Sequence, residues 1–152
     1  MMIRTHLAIA GLFVMLFLPR ITDKFIFIGV ACIATLLPDI DSGFSTIGRM
    51  KASKMVQFFV RHRGLLHSFT FCIIVAVLLA LLLPVFALPF FLAYSIHLFA
   101  DSFTVDGIKP FWPLKKDSHW KLRTGSYAET SIFVFFLLAD IFVFIFVILD
   151  IV

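Results

Sequence analysis

From Ser68 to Ile96 the chain carries no charged residue. That stretch is longer than the roughly 20 residues with which an α-helix crosses a bilayer core of about 30 Å. It is either one long span with an overhang or two spans joined by a tight turn. Pro84 and Pro89 stand near its middle. Proline removes a backbone donor and clashes with the preceding turn, so the stretch is read as two spans with a hairpin at the prolines.

Four other features fit the same solvent. Apolar runs cover roughly 3–18, 25–37 and 131–148, beside the pair at about 65–83 and 86–100. Of the 152 residues, 62% are hydrophobic and 21 are Phe. Mean hydropathy is +1.10, more apolar surface than a soluble core of this size needs. Several runs fall short of a full crossing, a mismatch that local thinning or snorkelling absorbs. The expected fold is an all-α integral membrane protein, one domain over 1–152, with about five transmembrane helices and a short amphipathic interfacial helix. The N-terminal run after Arg4 resembles a signal peptide, but Pro19-Arg20 stands where a small-x-small cleavage site belongs. It is read as a retained first span.

Charge supports the hairpin independently. With five crossings, the N-terminus, 38–64 and 101–130 share one side. That side holds Arg4, Arg49, Lys51, Lys54, Arg61, Arg63, Lys109, Lys115, Lys116, Lys121 and Arg123, against Arg20 and Lys24 opposite. Eleven of thirteen basic residues on one side is a strong positive-inside bias, which makes that side cytoplasmic in an inner membrane. Without the hairpin, the bias collapses. The basic residues are thereby accounted for, and nucleic-acid binding is not expected.

Within the first cytoplasmic loop, Met55, Val56, Phe59 and Val60 alternate with Lys51 and Lys54 at helical spacing. This reads as the basic amphipathic helix lying on an anionic leaflet, with an ordinary surface helix as the alternative. Trp112, Trp120 and Tyr127 in the second loop suit the headgroup layer. Cys32 and Cys72 lie inside apolar runs and read as small buried hydrophobes rather than a disulfide.

The remaining polar residues gather at one end of the spans. His6 opens the first. Asp39 and Asp41 follow the second. His62 and His67 lead into the third, His97 and Asp101 close the fourth, and Glu129 opens the fifth. Ionisable groups at the edge of hydrocarbon are costly and mark function. His97 and Asp101 are four apart, on one helix face. Asp39 and Asp41, two apart after a proline, point the same way in an extended turn. His62 and His67 flank Gly64, consistent with a bend that returns both imidazoles to one site. Imidazole with carboxylate suits Zn, Mn or Fe, and the number of donors allows one or two ions. Singly, each residue has a plainer reading as a helix cap or interfacial anchor. His119 reads as an exposed loop histidine. Asp140, in the middle of the fifth span, has no assigned role.

Several of these residues sit in motifs with a family resemblance. Thr5-His6, Leu37-Pro38-Asp39-Ile40-Asp41, His62-Arg63-Gly64-Leu65-Leu66-His67-Ser68 and His97-Leu98-Phe99-Ala100-Asp101 occur in an order that resembles the YdjM-like family. Thr104, Gly107 and Phe111-Trp112-Pro113-Leu114 follow, and 123–129 resembles its closing polar motif. Members are described as membrane-bound metal-dependent hydrolases. The resemblance implies a metal site built from His6, Asp39, Asp41, His62, His67, His97 and Asp101. A fairly long basic insert between Asp41 and His62 departs from the pattern.

The function expected is metal-assisted hydrolysis at the cytoplasmic membrane face, on a phosphoester or lipid headgroup. Asp39, Asp41 or Glu129 would serve as general base. Arg61, Arg63 and Arg123 would hold a phosphate. The rivals are a metal transporter or sensor without hydrolytic activity, and a structural membrane protein whose histidines only anchor helix ends.

Overall fold

The computed structural model describes residues 1–41, 64–114 and 116–148; the side chains of Asp41 and Ile148 are not among what it describes. The described chain is helical: α1 (Ile3–Phe17), α2 (Lys24–Leu36), α3 (Phe69–Leu82), α4 (Pro84–Ser102) and α5 (Tyr127–Ile148), with 3₁₀ turns at Leu18–Arg20 and Pro38–Asp41. The amphipathic helix expected at 50–60 lies outside the described residues.

Local chemistry sets the helix ends. Ser68 caps α3: its Oγ accepts from the Phe71 N–H at 3.2 Å and donates to the Leu65 carbonyl at 2.6 Å, satisfying one orphan donor of the first turn. Pro84 occupies the first turn of α4, where a missing N–H costs nothing. A single residue, Leu83, separates α3 from α4, so the hairpin read from the prolines is there. Pro89, by contrast, lies inside α4 and does not break it. It sits in the second turn, where only the Val85 carbonyl loses its partner, and the helix runs on to Ser102. Ser126 and Glu129 have capping-box spacing at the start of α5, and the Glu129 N–H donates to Ser126 Oγ at 3.3 Å.

Ile3–Arg20, Pro84–Ser102 and Tyr127–Val147 are long and apolar enough to cross a membrane. Phe69–Leu82 is apolar but shorter, and α2 has 13 residues, about 20 Å at 1.5 Å per residue. Large apolar side chains face outward, among them Leu81, Leu82, Phe135 and Phe142. In water such a surface would aggregate; in lipid it is the solvated one. The protein is an all-α integral membrane protein.

Helix α4 is the central element and packs on α2 and α3, while α1 packs on α5, α2 and α4. The core joins Val14, Phe27, Ala31, Ala34, Cys72, Ala93, Tyr94 and Leu98. Ala31, Ala34 and Ala93 are almost wholly enclosed; small residues at these crossings let the helices approach closely, which is what holds a bundle together in lipid. Cys72 is buried, its Sγ 3.5 Å from Ser95 Oγ. Cys32 faces outward on α2 rather than inward, since the apolar run leaves either face of that helix acceptable to lipid. Both are free thiols.

The segment between α4 and α5 folds back over the bundle end. Thr104 pairs with Leu122 and Ile108 with Ser118 as isolated bridges. Gly107 makes the bend: its φ is +61°, and a Cβ there would lie 2.4 Å from the Ser118 carbonyl oxygen. Only glycine meets both conditions. The Phe69 N–H donates to the Pro110 carbonyl at 2.8 Å, tying this segment to the start of α3. Trp112, Trp120 and Tyr127 are all exposed, as is His119.

Candidate metal centre

Every helix end at one face of the bundle delivers a polar side chain inward. His6 comes from the first turns of α1 and Asp39 from the 3₁₀ turn after α2. His67 comes from the residues leading into α3, and His97 and Asp101 from the last turns of α4. All five are buried.

Asp101 lies in the middle. Its Oδ1 is 3.2 Å from His6 Nε2, and its Oδ2 is 3.7 Å from His67 Nε2 and 3.8 Å from His97 Nε2. The Met1 amino group donates to Oδ1 at 2.6 Å. The rings of His6 and His97 stack, with centroids 3.8 Å apart and planes 11° from parallel. His67 stands edge-on to His97 at 5.8 Å. Two triads have their ligand atoms within 4.8 Å of one another: His6, Asp39 and His97, and His67, His97 and Asp101.

Supporting contacts fix these side chains. His97 Nδ1 is 2.7 Å from the Thr35 carbonyl oxygen. A carbonyl only accepts, so Nδ1 carries the proton and the lone pair is left on Nε2. Tyr94, one turn before His97, donates its hydroxyl to the Leu66 carbonyl at 2.6 Å and so holds the backbone next to His67. Thr104 locks the end of α4: its Oγ1 donates to the Asp101 carbonyl at 2.7 Å and accepts from the Gly107 N–H at 3.2 Å. Burial pushes the Asp39 carboxyl up from its ordinary range. His6 beside it pulls it down, and the Asp101 carboxylate pushes it up again.

Some buried polar atoms here have no hydrogen-bond partner: His97 Nε2, His6 Nδ1 and Thr5 Oγ1. His6 Nε2 faces Asp101 Oδ1 at 3.2 Å. Orphaned buried nitrogens are expensive and rare in native proteins. Three imidazoles and two carboxylates with inward-facing nitrogens fit a divalent ion, and the Thr35 contact on the far nitrogen of His97 is the supporting bond that metal-binding histidines use.

The other residues singled out from sequence fall differently. Glu129 is buried, but its two oxygens accept from the Met2 N–H and the Gly125 N–H, each at 2.5 Å. It ties the start of α5 to the start of α1. Arg123 is exposed on the segment before α5. His62, Arg61, Arg63 and the Asp41 side chain lie outside what is described. Thr104 stands in the motif but without a role read from sequence, and Thr35 and Tyr94 are not among the residues that the sequence marks. For Thr35 the acting group is a backbone carbonyl, which no side-chain pattern reveals. Tyr94 stands three residues before His97, on its face of the helix, and that spacing was the available signal.

No curated protein and no solved structure matches the chain. The model of one family, the YdjM inner membrane protein, matches residues 1–150. That span takes in all five helices and every residue of the buried cluster, and the chain belongs to the YdjM inner membrane protein family.

Proposed function

We propose that the protein is a membrane-bound hydrolase that holds one or two divalent ions at the cytoplasmic end of its bundle and cleaves a phosphoester at headgroup depth. The observation that carries this reading is the buried His97 Nε2, left without a hydrogen-bond partner while its other nitrogen is committed to Thr35.

His6, His67, His97 and Asp101 hold the ion, with Asp39 at the side facing His6. Zinc is the first choice for such a set, with manganese or iron next. His97 has a single lone pair to give, so it serves one ion although it belongs to both triads. Asp101 turns one oxygen toward His6 and the Met1 amino group and the other toward His67 and His97, so its Oδ2 would face an ion held by those two histidines. Asp41 and His62 complete the donor set in this reading. A divalent ion in such a site supplies a polarised water near neutral pH and offsets charge on the leaving oxygen.

Asp39 is the favoured general base, through the carboxylate oxygen that the ion does not take, because burial raises its proton affinity above that of an ordinary carboxylate. Glu129 is an anchor instead, both oxygens being taken by backbone N–H groups. Arg123, with Arg61 and Arg63, holds the phosphate. The eleven basic residues that the sequence assigns to this side of the membrane favour its cytoplasmic placement. The donors sit at the ends of helices, whereas transport sites lie near the midplane, which favours hydrolysis over transport.

Elemental analysis of detergent-purified protein, followed by hydrolysis of phospholipids and of bis(p-nitrophenyl) phosphate with and without chelator, tests the reading. Stoichiometric metal and chelator-sensitive hydrolysis are expected, both lost in His97→Ala. Metal-free wild-type protein, or hydrolysis indifferent to chelator, would overturn it.

A further inference from the structure

Beside the histidine cluster, an apolar groove of about 560 Å³ runs down the bundle wall. Its existence follows from the packing. Helix α5 lies along α1, and α4 lies against α2 and α3, so α4 and α5 face each other across α1 without closing on it. Ile9 and Phe13 of α1 form the floor, Phe91 and Phe99 of α4 one wall, and Ile132 and Phe136 of α5 the other. Ser95 is the one hydroxyl-bearing side chain in the lining, and its Oγ is engaged with Cys72 Sγ.

Resting on the hydrolase reading above, we infer that this groove holds one acyl chain of a phospholipid whose headgroup lies at the histidine cluster. Three observations fix the occupant. First, the groove abuts the site. Met1, which lines the groove, donates its amino group to Asp101 Oδ1 at 2.6 Å, and His6, Ile9 and Phe13 recur at helical spacing along α1. Second, the length matches. Along α4 and its C-cap the wall runs from Phe91 to Phe103, about 18 Å at 1.5 Å per residue, against about 15 Å for the hydrocarbon of one leaflet. Third, the lining is apolar from Leu122 and Phe103 to Phe91 and Phe136, as an acyl chain requires, and the exposed Arg123 follows Leu122 in the chain. The volume lies in the range of about 300–1,000 Å³ that small-molecule sites occupy.

The test uses the full chain in phosphatidylethanolamine–phosphatidylglycerol vesicles containing phosphatidylglycerol with a diazirine in its acyl chain. Photo-adducts are mapped by peptide mass. They are expected to concentrate on the α4 and α5 groove residues over the outward α3 residues Leu78 and Leu81, by about tenfold. Ile132→Trp and Ser95→Phe each narrow the groove. Either should remove the groove adducts and spare those on α3, with metal content and hydrolysis of bis(p-nitrophenyl) phosphate retained. Adducts spread evenly over α3 and the groove in the wild type would overturn the inference, whatever the variants do. So would a covalent dimer through groove peptides, which would place a second copy there. Groove adducts without hydrolysis of any ester would keep the lipid site and remove the hydrolase reading, so the two failures are told apart.

Discussion

His97 donates its Nδ1 proton to the carbonyl oxygen of Thr35, 2.7 Å away on α2. This contact joins the helix that carries the HxxxD motif to the helix that ends in Leu37-Pro38-Asp39. It orients one imidazole and fixes its tautomer in a single step. The carbonyl belongs to the last turn of α2 and does not depend on the Thr35 side chain, whose Oγ1 donates instead to the Ala31 carbonyl at 2.8 Å.

His97→Gln and Thr35→Val should therefore separate. Glutamine cannot give an aromatic lone pair at the Nε2 position, and bound metal should fall by about 100-fold or more in affinity, the upper end of what even supporting residues cost. Valine at 35 keeps the carbonyl, so metal content should stay within about twofold of wild type. Metal analysis after dialysis against a graded chelator series measures both. Equal losses would show that the contact acts through the side chain.

Much of this architecture was legible beforehand, for identifiable reasons. Apolar runs long enough to matter in lipid locate the helices, and Pro84 with the basic residues places the hairpin. The cluster was legible because His6, Asp39, His67, His97 and Asp101 are costly at their depth unless they meet one another. What escaped was set by backbone or by packing. The Thr35 carbonyl has no side-chain signature. Glu129 looks like a base in sequence, yet three-dimensional closure gives both its oxygens to N–H groups of 2 and 125. The groove depends on α5 choosing α1 over α4, and a helix apolar on every side does not announce its partner.

Metal binding should weaken as pH falls. Each donor must be deprotonated to bind. Asp39 is held above its ordinary range, by burial first, so protons compete for it at higher pH than for an ordinary carboxylate. Affinity should decline as pH falls through the range in which Asp39 takes up its proton, a range shifted above that of an ordinary carboxylate. Asp39→Asn removes that competing proton, so its curve should be weaker throughout but shallower in pH. Isothermal titration with Zn²⁺ at several pH values checks this, and a parallel displacement of the two curves would contradict the assignment of Asp39 as a ligand.

Gly107→Ala should destabilise the fold, and Gly29→Ala should not. At 107 the φ of +61° and the Ser118 carbonyl 2.4 Å from a new Cβ both oppose alanine. Left-handed backbone alone costs about 1–2 kcal/mol for a non-glycine residue, and the clash adds to it. At 29 a Cβ meets nothing within 4 Å, and alanine is the better helix former. Because Gly107 supports Thr104, which in turn holds the Asp101 carbonyl, its replacement should also loosen metal binding. Thermal unfolding in detergent, followed by metal analysis, reads both effects, and an unchanged midpoint for Gly107→Ala would contradict the close approach to Ser118.

Asp140 offers the opposite expectation. It lies in the middle of α5 against Gly11 of α1, its Oδ2 3.4 Å from where a Cβ at 11 would stand. Its Oδ1 is buried without a hydrogen-bond partner. A carboxyl at this depth is costly unless it performs a task, and it stands apart from both ligand triads. If it only packs, Asp140→Leu should raise the unfolding midpoint, since removing an unsatisfied buried polar group recovers roughly 1–3 kcal/mol. Metal content and hydrolysis should be unchanged. Loss of hydrolysis with metal and folding intact would instead give Asp140 a part in the reaction, reached through the α1–α5 interface rather than through the histidine cluster.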